Sequence, residues 1–327
     1  MTVNKANASI IILTHNGLKD NTIPCLNSIF MNSHDPGIEV IIVDNGSNDN
    51  TVGYLQELQE KHTNLRCVIK DKNEGYARGN NEGISAATGD YLILLNNDTI
   101  VTRGWLDKLL TPLKEDENIG LIGPVTNSVG NEQRIYTLGE TVEQILAEGS
   151  AWCDFSNGKN FETELLGFFC VAMPRSLINS IGLLDESFGI GFYEDDDFCI
   201  RVKKAGYKLV CREDVFIYHR GSATFQYNSA KSNRTLMKSN KKRLEQKTGF
   251  KYNPAHPRDQ ILRLILRDLK TAEEFNNFSE IYPRIENRMK LLGTMHPRGL
   301  LKRINFNRKL KAAMGKIKEM SHGDLPD

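Results

Sequence analysis

No apolar run in the sequence is long enough to cross a bilayer. Such runs as Ile10–Leu13 and Tyr91–Leu95 fall far short of the roughly 18 residues a spanning helix requires. The N-terminus, MTVNKANAS, is polar and leads directly into a strand-like run, so a secretory leader is not expected. Six cysteines (Cys25, Cys67, Cys153, Cys170, Cys199 and Cys211) are scattered with no CxxC pair. That spacing argues against a structural zinc site or a disulfide framework and points to a reducing, cytoplasmic setting. Three enzyme fingerprints are also missing: the GKS or GKT of a phosphate-binding loop, the GxGxxG of a dinucleotide fold and the GxSxG of a hydrolase elbow. There is no nucleic-acid motif, internal repeat or low-complexity tract.

What is present is an ordinary globular composition, 39% hydrophobic and 25% charged over 327 residues, enough for about two domains. The net charge of +1 conceals a division. Residues 1–227 hold 19 Lys+Arg against 31 Asp+Glu, and residues 228–327 hold 23 against 10. An acidic region is joined to a basic one.

The acidic region alternates strand and helix patterns. Ser9–Leu13, Glu39–Val43, Leu65–Lys70 and Asp90–Leu95 are apolar enough for strands buried on both faces of a parallel sheet. Helices are expected between them at Asn21–Met31, Asn50–Lys61 and Gly79–Thr88. Repeated β-α units predict an α/β doubly wound sheet that binds ligands beyond the carboxyl ends of its strands. Polar clusters stand at those ends: Thr14-His15-Asn16, Asp44-Asn45-Gly46-Ser47 and Asn96-Asn97-Asp98. From Ile119 to Tyr227 the pattern is less regular, with short strands expected at Ile119–Val125, Leu165–Pro174, Tyr207–Cys211 and Val215–Ile217. After Tyr227 helical periodicity takes over at 229–247, 258–270, 272–292 and 298–320.

Four constellations carry chemistry. Asp98, a carboxylate just after a strand, suits a divalent cation shared with substrate phosphates; the plainer reading is an Asx turn. The acids Glu194, Asp195, Asp196 and Asp197 are bracketed by Phe188, Ile190, Phe192 and Tyr193 before and Phe198, Cys199 and Ile200 after. Such flanks predict partial burial and split carboxyl pKa values, which suits a general base. A helix start attracting acids explains part of the run. His219 follows another strand and would join Asp98 on a metal; the plainer reading is a structural histidine. The segment from Asn73 and Gly75 through Arg78 and Asn80 leads glycines into a helix, which suits a phosphate or ribose.

Taken in order, these pieces resemble the family 2 glycosyltransferases, which have the GT-A fold. Ser9–Asn16 is similar to the family's opening strand and turn, and Asp44–Asp49 looks like its Asp-Asp-Gly-Ser-x-Asp loop. The segment from Asn73 to Asn81 matches its Asn-x-Gly…Asn stretch. Asn96-Asn97-Asp98 stands where its Asp-x-Asp motif lies, keeping one carboxylate of two. Glu194-Asp195 with Asp197 and Arg201 looks like its Glu-Asp-x-Asp…Arg block. The resemblance spans roughly residues 8–227 and implies an inverting transfer of sugar from a nucleotide diphosphate, a UDP- or dTDP-sugar, to a hydroxyl on a glycan, lipid-linked or protein acceptor. It implies Mn²⁺ or Mg²⁺ on Asp98 and His219, a nucleotide base on Asp44 and general-base chemistry at Asp195. It also implies a substrate-binding set of Thr14, His15, Asn16, Asn45, Asn73, Gly75, Arg78, Asn80, Asn97, Glu194 and Asp197. Asp196 is expected to be the most solvent-facing of the acids.

The expected organisation is a GT-A catalytic domain over residues 1–227, its nucleotide-sugar half ending near 118 and its acceptor half spanning 119–227, followed by a basic helical region over 228–327. In the segment 298–327, Leu300, Leu301, Ile304, Leu310, Met314 and Ile317 recur at helical spacing among Lys and Arg. The favoured reading packs this stripe on the catalytic domain or on a second copy in a homodimer. The alternative is a peripheral helix at the inner face of a membrane. Two other functions compete with sugar transfer: a nucleotidyltransferase acting on sugar phosphates, and a non-catalytic sugar-nucleotide-binding module. Nucleic acid is not an expected partner.

Overall fold

A computed structural model describes residues 7–33, 35–221, 230–295 and 300–323. The expected 227/228 boundary and, within the segment 298–327, residues 298–299 and 324–327 lie outside the described residues. Strands β1 (Ala8–Thr14), β2 (Ile38–Asn45), β3 (Leu65–Lys70) and β4 (Tyr91–Asn96) are parallel, in the order β3-β2-β1-β4. Helices α1 (Ile23–Asn32), α2 (Thr51–Lys61) and α3 (Tyr76–Ala86) connect them. Along β1, Ile10 and Ile12 join one core cluster while Ile11 joins another on the opposite face. Both faces are therefore covered, which is why the strand reads as a continuous apolar run. Thr14 stands opposite Asp44, and Leu13 opposite Asn96, so the carboxyl ends of β1, β2 and β4 finish level and their polar residues share one edge.

Helix α3 begins three residues earlier than expected, because Gly75 (φ 95°) turns the chain sharply enough for Tyr76 to start it. A side chain at Gly75 would collide with the Gly189 carbonyl, whose oxygen would lie 2.1 Å from its Cβ. The loop before α3 thus lies directly against the loop that precedes the acid cluster.

The second half adds β5 (Thr99–Val101), α4 (Trp105–Glu115), β6 (Ile119–Val125), α5 (Val142–Phe155), β7 (Asn160–Thr163), β8 (Cys170–Pro174), α6 (Arg175–Ile181), α7 (Glu194–Lys204) and β9 (Lys208–His219). Strand β8 is antiparallel to both β4 and β6, β6 runs parallel to β9, and the short β5 and β7 pair antiparallel with β9. The two strands expected at Tyr207–Cys211 and Val215–Ile217 are one strand, β9, whose pairing with β6 shifts register at Pro124/Val125. The single strand expected at Leu165–Pro174 is only β8. The chain before it bonds instead to side chains, Gly167 donating to the Gln133 amide oxygen at 2.7 Å. Helix α5 carries a Thr141/Gln144 capping box, a start signal that the sequence reading passed over.

The four helices expected beyond Tyr227 are α8 (Ala230–Thr248), α9 (Pro257–Phe275), α10 (Phe278–Gly293) and α11 (Leu300–Gly323). Helices α9, α10 and α11 share a cluster of their own around Ile265, Leu269, Ile285 and Leu291. Phe306, Leu310, Ala313 and Ile317 of α11 pack into it, whereas Ile304 and Met314 are exposed. No helix among the described residues is long and apolar enough to cross a membrane.

The opposite charges of the two regions meet in the interior. Glu213 of β9 is fully buried and pairs with Arg288 of α10, with Arg267 of α9 at 3.2 Å and with Arg284 of α10 at 3.7 Å. Asp268 of α9 binds both Arg284 and Arg288. Glu213→Ala leaves the buried guanidinium groups of Arg284 and Arg288 short of a carboxylate in a dry interior, so it is expected to cost about 3–5 kcal/mol. Urea unfolding measures this, and a loss below about 1 kcal/mol, the scale of an exposed pair, would show that the helices do not depend on the network.

Candidate active site

The carboxyl edge of the sheet opens into a cleft of about 1500 Å³. Its lining runs from Leu13, Thr14, His15, Asn45 and Asn73, through Asn96, Asn97 and Asp98, to the acids Glu194, Asp195 and Asp196. His219 also lines it, and the C-terminal helices supply a further wall.

Asp98 and His219 come together because β5, which begins one residue after Asp98, pairs with the end of β9, setting Thr99 opposite His219. Asp98 Oδ1 lies 3.4 Å from His219 Nε2, and both side chains are largely buried. On the other side of the ring, Nδ1 lies 2.7 Å from the Ser128 carbonyl. A carbonyl only accepts, so Nδ1 carries the proton and Nε2 is the nitrogen turned to Asp98. Phe169 stacks on the imidazole with ring centroids 5.2 Å apart. Burial disfavours the imidazolium, but the hydrogen bond and charge of Asp98 outweigh it and raise the His219 pKa. A carboxylate facing an imidazole nitrogen whose other nitrogen is anchored to backbone is a donor set that fits a divalent cation. Two protein ligands leave room for substrate oxygens, as Mg²⁺ and Mn²⁺ sites commonly do.

The acid cluster opens α7. The two residues before it, Phe192 (φ 73°) and Tyr193 (φ 76°), both sit in the left-handed region, a costly conformation held only where the surroundings over-determine it. The hold comes from α8. Asn240, itself buried, donates its side-chain amide to the carbonyls of Phe188 (2.7 Å), Gly191 (2.9 Å) and Phe192 (3.1 Å). Lys247 of the same helix reaches Asp185 at 2.7 Å and Asp197 at 2.9 Å. The basic region therefore holds the loop that presents the acids.

The four acids have separate fates. Asp197 is buried and paired with Arg201 at 2.9 Å and with Lys247, and it stands outside the cleft lining. Asp195 lines the cleft, its Oδ1 accepting from the Asp196 amide at 2.9 Å, and burial lifts its pKa above the ordinary carboxylate range. Burial, with the Asp195 charge, pushes Glu194 up to about 8, and one of the Glu194 oxygens is buried without a partner. Asp196 is also pushed up to about 8 by burial and by Asp195, against the lowering effect of the Tyr252 hydroxyl that bonds it. Tyr252 lies in the chain between α8 and α9. Glu194 and Asp197 are buried, and the partial exposure of the four falls to Asp195 and Asp196.

A carboxyl whose folded pKa lies above its ordinary value holds its proton more tightly in the folded state. Its contribution is complete below the ordinary value of 4.5 and is lost as pH rises through about 8. In metal-free protein, stability is expected to fall between pH 5 and 9, and Glu194→Gln is expected to remove part of that fall. Melting curves of the two proteins that stay parallel across this range would contradict the burial argument.

The remaining expected residues divide between the cleft and its supports. Asn45 donates to the Asn73 amide oxygen (3.0 Å) and to the Gly75 carbonyl (3.2 Å), and accepts from the Glu74 amide (3.0 Å). It thus holds the loop that carries Asn73 and Gly75. Asn16 (φ 57°) accepts from the Asn48 amide at 2.8 Å, and its own amide donates to Ser47 at 2.7 Å, tying the first loop to the second. Asp44 is fully buried; one oxygen accepts from the Ser47 amide at 2.9 Å and the other has no partner. The Asn97 amide donates to Thr14 and Thr22, both at 3.0 Å, so Thr14 and Asn97 build the cleft floor. His15 lines the cleft with a buried, unpartnered Nδ1. Arg78 and Asn80 are not brought into the cleft. Arg78 is half-exposed beside Glu74 (3.3 Å), and Asn80 is buried and donates to the Tyr76 carbonyl (2.9 Å).

Sequence reasoning passed over three contributors: Phe169, Asn240 and Tyr252. Each acts from a loop or from the helical region through a contact distant in sequence, and no local motif marks it.

Comparison with known proteins shows the family and the fold. The family model described as "Glycosyl transferase family 2" matches residues 9–173. The chain is 26% identical over 254 residues to the uncharacterized glycosyltransferase YfnE of Bacillus subtilis, covering 65% of this chain and 64% of that protein. It is 28% identical over 256 residues to the chondroitin synthase of Pasteurella multocida, covering 69% of this chain and 25% of that protein. The chain thus spans between a quarter and two thirds of these relatives' own length. In structure it is similar to the crystal structure of GalNAc-T7 with UDP, GalNAc and Mn²⁺, with a TM-score of 0.53 at 17% identity over 66% of this chain and 44% of that one. The mostly parallel sheet with flanking helices is the expected GT-A fold. The chain belongs to glycosyl transferase family 2.

Proposed function

We propose that the protein transfers a sugar, with inversion, from a nucleotide diphosphate donor to an acceptor hydroxyl. The observation that carries this reading is the meeting of the Asp98–His219 pair and the buried acid cluster on one cleft. The donor diphosphate lies by Asp98 and His219, which would hold Mn²⁺ or Mg²⁺. A cation there supplies electrostatic stabilisation of the departing charge. The unpartnered oxygen of Asp44 and the Asn45–Asn73 loop receive the nucleoside of a UDP- or dTDP-sugar. Asp195 takes the proton from the acceptor hydroxyl as its oxygen bonds to the anomeric carbon, and the carbon–oxygen bond to the diphosphate breaks with its electron pair leaving on the nucleotide. Glu194 and Asp196, protonated near neutrality, leave Asp195 as the acid of the three that carries charge. The acceptor is a glycan, a lipid-linked sugar or a protein side chain, and the setting is cytoplasmic.

A thermal-shift screen of UDP, dTDP and GDP and their sugars, with and without Mn²⁺, tests the reading. A ligand that binds only the folded chain raises its melting temperature. One nucleotide series is expected to stabilise the protein, more strongly with Mn²⁺. A flat response to all of them would contradict the proposal.

A further inference from the structure

The cleft does not end at the acid cluster. Beyond Tyr252 its wall passes to the start of α9 and to α11, and its charge reverses. Arg134, Arg258, Arg263 and Lys309 line this end, with Asp259 as the carboxylate among them. Three of the four cations lie on exposed residues, but Arg258 does not. Its side chain is 3% exposed, and Nε and Nη1 are both buried without a hydrogen-bond partner. Asp259 approaches Nε no closer than 3.7 Å, beyond hydrogen-bonding range. The guanidinium lies over the Phe306 ring, 4.9 Å from its centroid, which fixes its plane. Arg263 also feels the buried Glu132 carboxylate, which leaves the end cationic overall. The positive end of the α9 macrodipole adds to the same potential.

An arginine held dry with two free N–H groups is expensive unless something accepts from it. Arginine in a fixed plane is the side chain suited to bidentate capture of a carboxylate or phosphate. We infer that this end of the cleft is a binding subsite for an anionic group, a phosphate or a carboxylate, carried by the acceptor. The inference rests on the transfer reading for the claim that the bound molecule is the acceptor. Its hydroxyl would lie at Asp195 while its anionic substituent reaches Arg258. The acidic and basic ends of one cleft then orient a polar acceptor in a single sense. The basic region thereby contributes to acceptor choice as well as supporting the acid loop.

Calorimetric titration of the full chain at low salt, with glucose 6-phosphate, glucuronate and glucose as probes, tests this. At least one of the two anions is expected to bind, with glucose at least tenfold weaker. Glucose 6-phosphate alone would identify a phosphate subsite, and glucuronate alone a carboxylate one. Arg258→Gln is expected to weaken the anion at least tenfold. The double variant Arg263→Glu/Lys309→Glu, at exposed positions, is expected to weaken it severalfold and keeps the test informative should the buried variant fail to fold. Adding salt is expected to weaken the anion and leave glucose unchanged. Equal binding of glucose and the anions, no binding of either anion, or anion binding unchanged in the double variant would overturn the inference. Failure of the transfer reading is seen separately, as an absence of nucleotide-sugar turnover by the unmodified chain, and leaves anion binding at Arg258 measurable.

Discussion

Asp195→Asn is expected to lower turnover by about 10²–10⁴-fold, the usual worth of a general base, while leaving donor binding intact. The substitution keeps the shape of the side chain and the acceptor of the Asp196 amide bond, and removes only the basicity. The environment makes the comparison with its neighbours sharp. Glu194 and Asp196 are each pushed to about 8, so near neutrality Glu194→Gln and Asp196→Asn replace groups that are already largely neutral. Both are expected to retain far more activity than Asp195→Asn. The acid limb of the turnover profile is expected above the usual carboxylate value of about 4, because burial raises Asp195 as well. If Asp196→Asn is inactive while Asp195→Asn turns over normally, the base has been assigned to the wrong residue.

Asp98→Ala is expected to abolish transfer and to weaken Mn²⁺-dependent binding of the nucleotide diphosphate. Asp98 supplies the carboxylate of the pair with His219, so its loss should exceed the roughly 10–100-fold that removing even an outer partner of a metal ligand costs. His219→Ala is expected to act in the same direction less severely. The ring is held by Ser128 and stacked on Phe169, so its removal also loosens the cleft wall. Transfer that proceeds fully in EDTA, with Asp98→Ala near the unmodified rate, would remove the metal from the account.

What the sequence made legible follows from which contacts are local. The strands β1, β2, β3 and β4 announce themselves because burial on both faces forces continuous apolar runs, and their polar ends follow at once in the chain. That is how Asp44 and Asp98 could be singled out from residues alone, whereas the acid cluster stood out by its apolar flanks. The Asp98–His219 approach was foreseeable as two strand ends on one edge, but its distance depends on the three-residue strand β5, too short to leave a pattern. Helix periodicity gives the direction of a side chain relative to its own helix only. It carries no information about Tyr252, more than fifty residues later, whose hydroxyl bonds Asp196. Arg78 was drawn toward the phosphate reading by its glycine-rich neighbours, yet Glu74, four residues before it, holds it on the outer surface. The charge division between the two regions was visible as composition, whereas its meaning required the fold. Glu213 and Asp268 take arginines from α9 and α10, and Asn240 and Lys247 support the loop before α7.

The most direct test of the central claim is release of nucleoside diphosphate from a sugar nucleotide, followed with Mn²⁺ for the unmodified chain and for Asp195→Asn. The account predicts acceptor-stimulated release by the unmodified chain, dependent on the cation, and loss of that stimulation in Asp195→Asn although the donor still binds. Acceptor-stimulated release that persists undiminished in Asp195→Asn, or no release from any sugar nucleotide that binds, would contradict it.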